Sequence, residues 1–380
     1  MKFHQVRPAF VAAVAAFALV ACSDKPASGP SSGAAAAPEE KVLNIYNWSD
    51  YIEPGVLEAF TKETGIKVNY DVFDSNEVLD TKLLAGNTGY DIVVPSASFL
   101  YRQIKAGVYA PLDKSQLSNL GNGDPEITGR ISQAFDPNND HSVNYMWGTS
   151  GVGYNVKKIK QRMPNAPVDS FAMFYDPKVV SKFADCGVTM LDAPSEIVGT
   201  VLIYLGKDAN SEKPEDLAAA EKVLQSVRKY IRNFNSSAYI EGLANGEVCL
   251  TLGWSGDVLQ AKTRAEAAKN GVEIAYNIPK EGAVMFFDQF AIPKDAKHPK
   301  NAHMFINYML RADVAAKNSS FLQYANGNAA SRSMIDASVT GNPNVYPPEA
   351  LMKKLVPDLP ESQEFNRLLT RSWTRVKTGQ

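Results

Sequence analysis

Cysteine and histidine are scarce, three and four in 380 residues, and their placing removes several chemistries at once. No Cys-x-x-Cys pair occurs, so dithiol redox chemistry and a zinc ribbon have no starting point. His4 lies in an apolar leader. His141, His298 and His303 stand at no metal-ligand spacing from a cysteine or a second histidine and read as solvated side chains, so no metal site is expected. A surplus of one charge is missing too: 39 Lys plus Arg against 41 Asp plus Glu leave a formal charge of −2. With no long basic block, nucleic acid is not an expected partner. Enzyme signatures are also absent. Gly253-Trp254-Ser255-Gly256 places its second glycine one residue too early for the G-x-S-x-G elbow. Gly199 to Lys207 has six residues between its glycines and no Ser or Thr after the lysine, so it is no phosphate loop. No catalytic residue and no cofactor is expected.

One long apolar run is present. Ala9 to Ala21 spans 13 residues, short of the about 20 that a membrane-spanning helix needs, and it follows Lys2 and Arg7 with no acid between. Residues 1–21 therefore read as a secretory signal peptide. Leu19-Val20-Ala21-Cys22 is similar to a bacterial lipobox, which makes Cys22 a candidate lipidation site; plain signal-peptidase cleavage is the alternative. Residues 22–40 are rich in Ala, Ser, Pro and Gly and read as a flexible linker, so any membrane contact would run through a lipid anchor. Beyond it, 45% hydrophobic and 21% charged residues describe an ordinary folded protein long enough for two domains. With Cys22 set aside, Cys186 and Cys249 are an even pair in an exported chain, which suits a disulfide; two separately buried thiols are the alternative.

From residue 41 strands and helices alternate. Val42 to Tyr46, Ile66 to Val72 and Tyr90 to Pro95 read as strands, with helices over Pro54 to Thr64, Asn76 to Leu84 and Phe99 to Ala106. This order predicts a parallel sheet with helices on both faces. A second β/α region follows Tyr145, with strands at Gly187 to Leu191 and Val248 to Leu252. Helices open at Pro194 and run over Ala218 to Arg232. Extended pieces at Glu273 to Pro279 and Met285 to Pro293 precede helices at Ala302 to Met309 and Val314 to Lys317. Binding residues on such sheets collect at the carboxyl ends of the strands. Those ends pair an aromatic with an acid: Trp48/Asp50/Tyr51, Trp254/Asp257 and Phe286/Phe287/Asp288, joined by Glu196, Trp147 and Tyr324. Aromatic faces with carboxylates suit an organic cation, whose ammonium ends need charge and cation–π contact and whose stem needs apolar walls.

Asn47-Trp48-Ser49-Asp50-Tyr51-Ile52, Phe60 to Val68, Tyr90 to Ser96, Gly253 to Asp257 and Ile278 to Gly282 resemble the periplasmic polyamine-binding proteins of bacterial ABC transporters, and within them the putrescine-binding members. The likeness runs from about Val42 to Thr374. It implies an α/β fold of two lobes joined by crossing strands, the type II periplasmic binding protein fold, with the ligand cleft between them. The expected segments are 41–146 and 277–325 for the first lobe, 147–276 for the second, and 326–380 packing back on the second lobe. Carried over by motif, Trp48, Ser49, Asp50, Tyr51 and Ser96 would form one wall. Glu196, Trp254 and Asp257, with Phe286, Asp288 and Tyr324, would hold the ammonium groups and the chain between them. The resemblance also favours pairing Cys186 with Cys249. It implies a monomeric periplasmic receptor that delivers putrescine to an inner-membrane permease; a spermidine-preferring receptor, a sensor and a secreted amine-acting enzyme are the alternatives. Ser49 and Asp50 stand where spermidine-preferring relatives carry Thr and Glu, and Ala97 and Ser98 where those carry bulkier aromatics, which favours the diamine.

Overall fold

A computed structural model describes residues 39–379; the signal peptide, Cys22 and nearly all of the linker lie outside the described residues. The strands in chain order are β1 (Val42–Trp48), β2 (Lys67–Phe73), β3 (Ile92–Val93), β4 (Ser142–Asn155), β5 (Val188–Met190), β6 (Asn233–Phe234), β7 (Leu250–Trp254), β8 (Ile274–Asn277), β9 (Ala283–Ala291), β10 (Ala325–Asn326) and β11 (Leu355–Pro357). Hydrogen-bonded neighbours run β2-β1-β3-β9-β4-β7-β5-β6. The first three are parallel, as are β6, β5 and β7. These parallel trios match the alternating pattern and form the cores of two lobes, each covered by helices because a parallel sheet must bury both faces.

The lobes are joined through β4 and β9, which are antiparallel to each other. The first half of β4 pairs β9 and β10, and its second half pairs β7 and β8. At 14 residues β4 is long enough to serve both lobes, yet the sequence pattern hides it. Gly148, Gly151 and Gly153 interrupt its apolar alternation, and glycine is depleted in strands because it gives no side chain to pack. The expected change of lobe near Trp147 falls inside this strand. β11 pairs β9, and the last helix, Gln363–Thr378, packs on helix Pro214–Val227.

Helix boundaries follow local chemistry. Pro54–Thr64 starts with proline in its first turn and stops at Gly65, whose φ of 72° is the left-handed conformation that glycine adopts without strain. Ser75 caps Asn76–Ala85 by accepting from the Val78 N–H. Helix Pro214–Val227 begins earlier than the apolar period suggests, because Pro214 suits the first helical position and Glu215 and Asp216 face the positive end of the helix.

Cys186 and Cys249 form a disulfide with Cα atoms 5.5 Å apart. Each stands just ahead of a strand, and β5 and β7 pair from Val188 and Leu250 onward, so the bond closes the end of an existing ladder. It spans 63 residues, for which chain statistics give a stabilisation of about 4 kcal/mol. Replacing both cysteines by serine should lower the unfolding free energy by about 2–5 kcal/mol in urea titration; an unchanged midpoint and slope would show that the loop is already constrained by the ladder.

Candidate functional site

One crossing strand and two helix starts converge between the lobes, and each brings an acid; Asp288 stands inside its strand and not at the strand end expected from the sequence. Asp288 sits in β9 and accepts hydroxyl bonds from Tyr51, at 2.7 Å, and from Ser96, at 2.7 Å. Ser96 is fixed in turn by Asn76, whose carbonyl accepts the Ser96 N–H at 3.0 Å and whose amide donates to Ser96 Oγ at 3.1 Å. Asp257 lies in the first turn of helix Ser255–Ala268 and accepts from Tyr239 and Tyr324, both at 2.8 Å. Glu196 lies in the first turn of helix Pro194–Tyr204 and accepts from Trp254 Nε1 at 2.9 Å and from Ser150 Oγ.

Aromatic rings close the box in an edge-to-face chain. Trp48 meets Trp254 at 5.4 Å, Trp254 meets Phe286 at 6.2 Å, Phe286 meets Tyr324 at 6.1 Å and Tyr324 meets Tyr51 at 5.3 Å. Two glycines make this approach possible. A Cβ on Gly256 would lie 2.2 Å from the Tyr324 ring, and one on Gly148 would lie 2.8 Å from Phe286 and 2.9 Å from Tyr324. The second glycine of the failed elbow motif therefore serves packing.

The space they border, part of it open to solvent, is about 450 Å³. Of the eleven residues expected at the site, ten line it: Trp48, Ser49, Tyr51, Ser96, Glu196, Trp254, Asp257, Phe286, Asp288 and Tyr324. Asp50 does not. Its backbone is left-handed, with φ of 54°, and its carboxylate pairs with Arg264 Nη2 at 2.7 Å, partly exposed. Trp147 is buried elsewhere, donating to the Asn326 carbonyl, and Phe287 is a core residue on the other face of β9 from Asp288. Phe73, Asp74, Ser236, Ser237 and Ile240 also line the cavity. Phe73 pairs with Trp48 in the parallel register of β2 and β1, so the Phe73-Asp74 strand end repeats the aromatic-plus-acid signature and was legible. Ser236 to Ile240 follow β6, whose two residues are too few for a pattern.

Among the described residues, no lysine, arginine or histidine lines the cavity. Burial accordingly pushes the carboxyls up, Asp257 to about 7, Asp288 to about 6 and Glu196 to about 8, the last helped by Asp358 nearby. The hydroxyl donors oppose this and lose. Burial, then Asp288 beside Tyr51 and Asp257 beside Tyr324, hold those phenols far above their ordinary value, so they stay donors. The arrangement is an anionic, aromatic-walled space with its compensating cations missing, suited to an organic cation.

The unfolded chain titrates these carboxyls near 4, so between about 4 and 8 the folded, ligand-free protein binds more protons than the unfolded one. Its stability should rise as pH falls from 8 toward 5, the cost of ionisation being complete above 8. Asp185 and Asp216, held low by Arg162 and Lys207, act only below that window. Asp257→Asn should be more stable than the parent at pH 8, by on the order of 1–4 kcal/mol, with a flatter pH slope. Urea unfolding at pH 8, 6.5 and 5 checks this, and an unchanged slope in the variant would remove Asp257 as the cause.

Residues 55–347 match the family model for bacterial extracellular solute-binding proteins. The chain is 52% identical over 345 residues to the putrescine-binding periplasmic protein PotF of Escherichia coli (strain K12), covering 90% of this chain and 93% of that one. It is 50% identical over 355 residues to the putrescine-binding periplasmic protein SpuD of Pseudomonas aeruginosa (strain UCBPP-PA14), covering 93% and 96%. The solved structure of the spermidine/putrescine ABC transporter substrate-binding protein PotD from Streptococcus pneumoniae superimposes with a TM-score of 0.72 at 28% identity, covering 90% of this chain and 99% of that one. With its two lobes, crossing strands and anionic cleft, the chain belongs to the bacterial extracellular solute-binding protein family and has the type II periplasmic binding protein fold.

Proposed function

We propose that this protein is a periplasmic receptor that captures putrescine and delivers it to an inner-membrane ABC permease. The observation that carries this reading is a set of three buried carboxylates on aromatic walls with no basic side chain among the lining residues. A diammonium ion supplies two positive ends, and its four-carbon stem packs against Trp48, Trp254 and Phe286. Similarity at 50–52% to two putrescine-binding periplasmic proteins supports the ligand and the location, and so do the leader and the lack of an enzyme motif, which favour a carrier over an enzyme. We assign the ammonium contacts to Asp257, Asp288 and Glu196, place the change of lobe within β4 and β9, and take the working form as a monomer. A lipid on Cys22 would tether it through the linker without adding a ligand contact.

Charge and pH test the site. Asp257→Asn or Asp288→Asn leaves an ammonium group unpaired in a partly dry cleft, which should cost about 2–5 kcal/mol of binding in calorimetry; near-parental affinity in both variants sinks the assignment. A bound cation favours the ionised carboxyls, so binding releases protons where the empty site holds them. Affinity should fall as pH drops from 8 through 6, by up to about tenfold per unit for each carboxyl that must deprotonate.

Ligand length is a separate test. Putrescine should bind at least about tenfold more tightly than spermidine, a difference of about 1.4 kcal/mol, because a triamine leaves one amine poorly paired. Spermidine displacing putrescine at equal concentration would reverse this order while leaving the polyamine reading intact.

A further inference from the structure

Outside the main cavity, a part-buried carboxylate is bonded to helix starts in both lobes. Asp358 follows β11, and its backbone N–H donates to the Met285 carbonyl at 3.0 Å, one residue before Phe286 on the crossing strand β9. Its side chain accepts from Ser98 Oγ at 2.7 Å and from Ser195 Oγ at 2.9 Å. Ser98 belongs to the first turn of helix Ala97–Lys105 in the first lobe, and Ser195 to the first turn of helix Pro194–Tyr204 in the second. Both helices direct their positive ends at the same acid. The two turns also carry site residues: Ser96, which bonds Asp288, stands two positions before Ser98, and Glu196 directly follows Ser195. Asp358 does not line the main cavity, but it lines an adjoining space of about 310 Å³ together with Trp48, Glu196 and Trp254.

We propose that Asp358 is a positioning residue, a two-sided latch at the hinge that couples approach of the lobes to assembly of the ligand site. The proposal rests on the reading of this chain as a receptor that closes around its ligand. Each serine moves with its own helix and lobe, so both reach one carboxylate only when the helix starts face each other. In that state the same carboxylate holds the Ser96 turn and the Glu196 turn in register. Bonds made only in the closed form slow opening and leave encounter unchanged, so the latch acts on the dissociation rate.

Stopped-flow tryptophan fluorescence with putrescine and, separately, spermidine tests this, since Trp48 and Trp254 line the cavity. Asp358→Leu removes the acceptor and should raise the dissociation rate of both amines about tenfold or more, with no fall in the association rate constant or in the ligand-free melting temperature. Asp358→Asn, which still accepts one bond, should recover part of the loss, and Ser98→Ala and Ser195→Ala should each give part of it. An unchanged dissociation rate overturns the proposal. A loss confined to spermidine also overturns it, because Asp358 would then contact the ligand. A fall in ligand-free melting temperature shared by Asp358→Leu and both serine variants overturns it too, as the role would be structural. Spin labels on Glu58→Cys and Lys222→Cys, exposed positions in the two lobes, measure closure with no amine present. There the Asp358→Leu change should shift the distance distribution toward longer values. That readout holds even if neither amine binds the parent protein, so a failed ligand assignment and a failed latch remain separate results; an unshifted distribution counts against the latch.

Discussion

Taking three carboxylates out of water with no cation beside them is the constraint on which the rest of the structure depends. Each would lose several kcal/mol of hydration if left bare, and each has been given partial relief that stops short of neutralisation. Asp288 and Asp257 each accept two hydroxyl bonds, while Glu196 accepts an indole N–H and a hydroxyl. Asp257 and Glu196 also sit in first helical turns, where the backbone N–H groups favour negative charge. A lysine in the same place would have satisfied the acids and removed the reason to bind anything. Neutral donors hold the acids in position and leave their charge available.

That arrangement explains why the site is built between lobes. Tyr51, Ser96 and Asn76 belong to the first lobe, Glu196, Tyr239 and Asp257 to the second, and the strands that join them supply Ser150, Phe286 and Asp288. Half of the box by itself would leave its acids in water, where their attraction for a cation is weak. Bringing the halves together raises both the cost of the bare charges and the benefit of a cation placed among them. Closure and ligand binding are therefore favourable together and poorly favourable apart, which is what a capture-and-release receptor requires.

Much of this was legible because strand ends on a parallel sheet are predictable places and because the acids there came with aromatics. The turn after β1 is legible this way, although Asp50 is not among the residues that line the cavity. Spacing cannot tell that the left-handed backbone at Asp50 turns its carboxylate toward Arg264, since the partner is 214 positions away. Phe73 and Asp74 carry the same signature but lie one and two residues past the strand expected at Ile66 to Val72, and it is the parallel pairing of Phe73 with Trp48 that brings them to the cavity. β4 was hidden for a physical reason. Its glycines, which break the pattern a strand should show, each make room for a close neighbour: Gly148 for Phe286 and Tyr324 at the site, Gly151 for Tyr276 and Gly153 for Val258. The helix Pro54–Thr64, by contrast, is fixed by its own proline and glycine, and its ends agree with the sequence reading.

The residues that define the cation box and those that hold it are distinguishable by what they touch. Trp48 and Phe286 line the space as walls, while Trp254 both lines it and holds Glu196 through its indole N–H. Ser96, Asn76, Tyr239 and Gly256 instead fix where an acid or a ring stands, and a change in any of them moves a charge. Glu196 depends on a longer chain of support. The turn that precedes its helix starts at Asp192, whose carboxylate takes bonds from Trp373 Nε1 at 2.6 Å and Lys377 Nζ at 2.9 Å on the last helix. The C-terminal segment thus reaches the site without lining the main cavity, anchoring one acid's turn from outside. An ion pair at a partly exposed position adds little stability of its own; its value here lies in orientation, because a carboxylate offset by an ångström from its ammonium partner loses about a quarter of the direct attraction, and the hydrogen bond that goes with it.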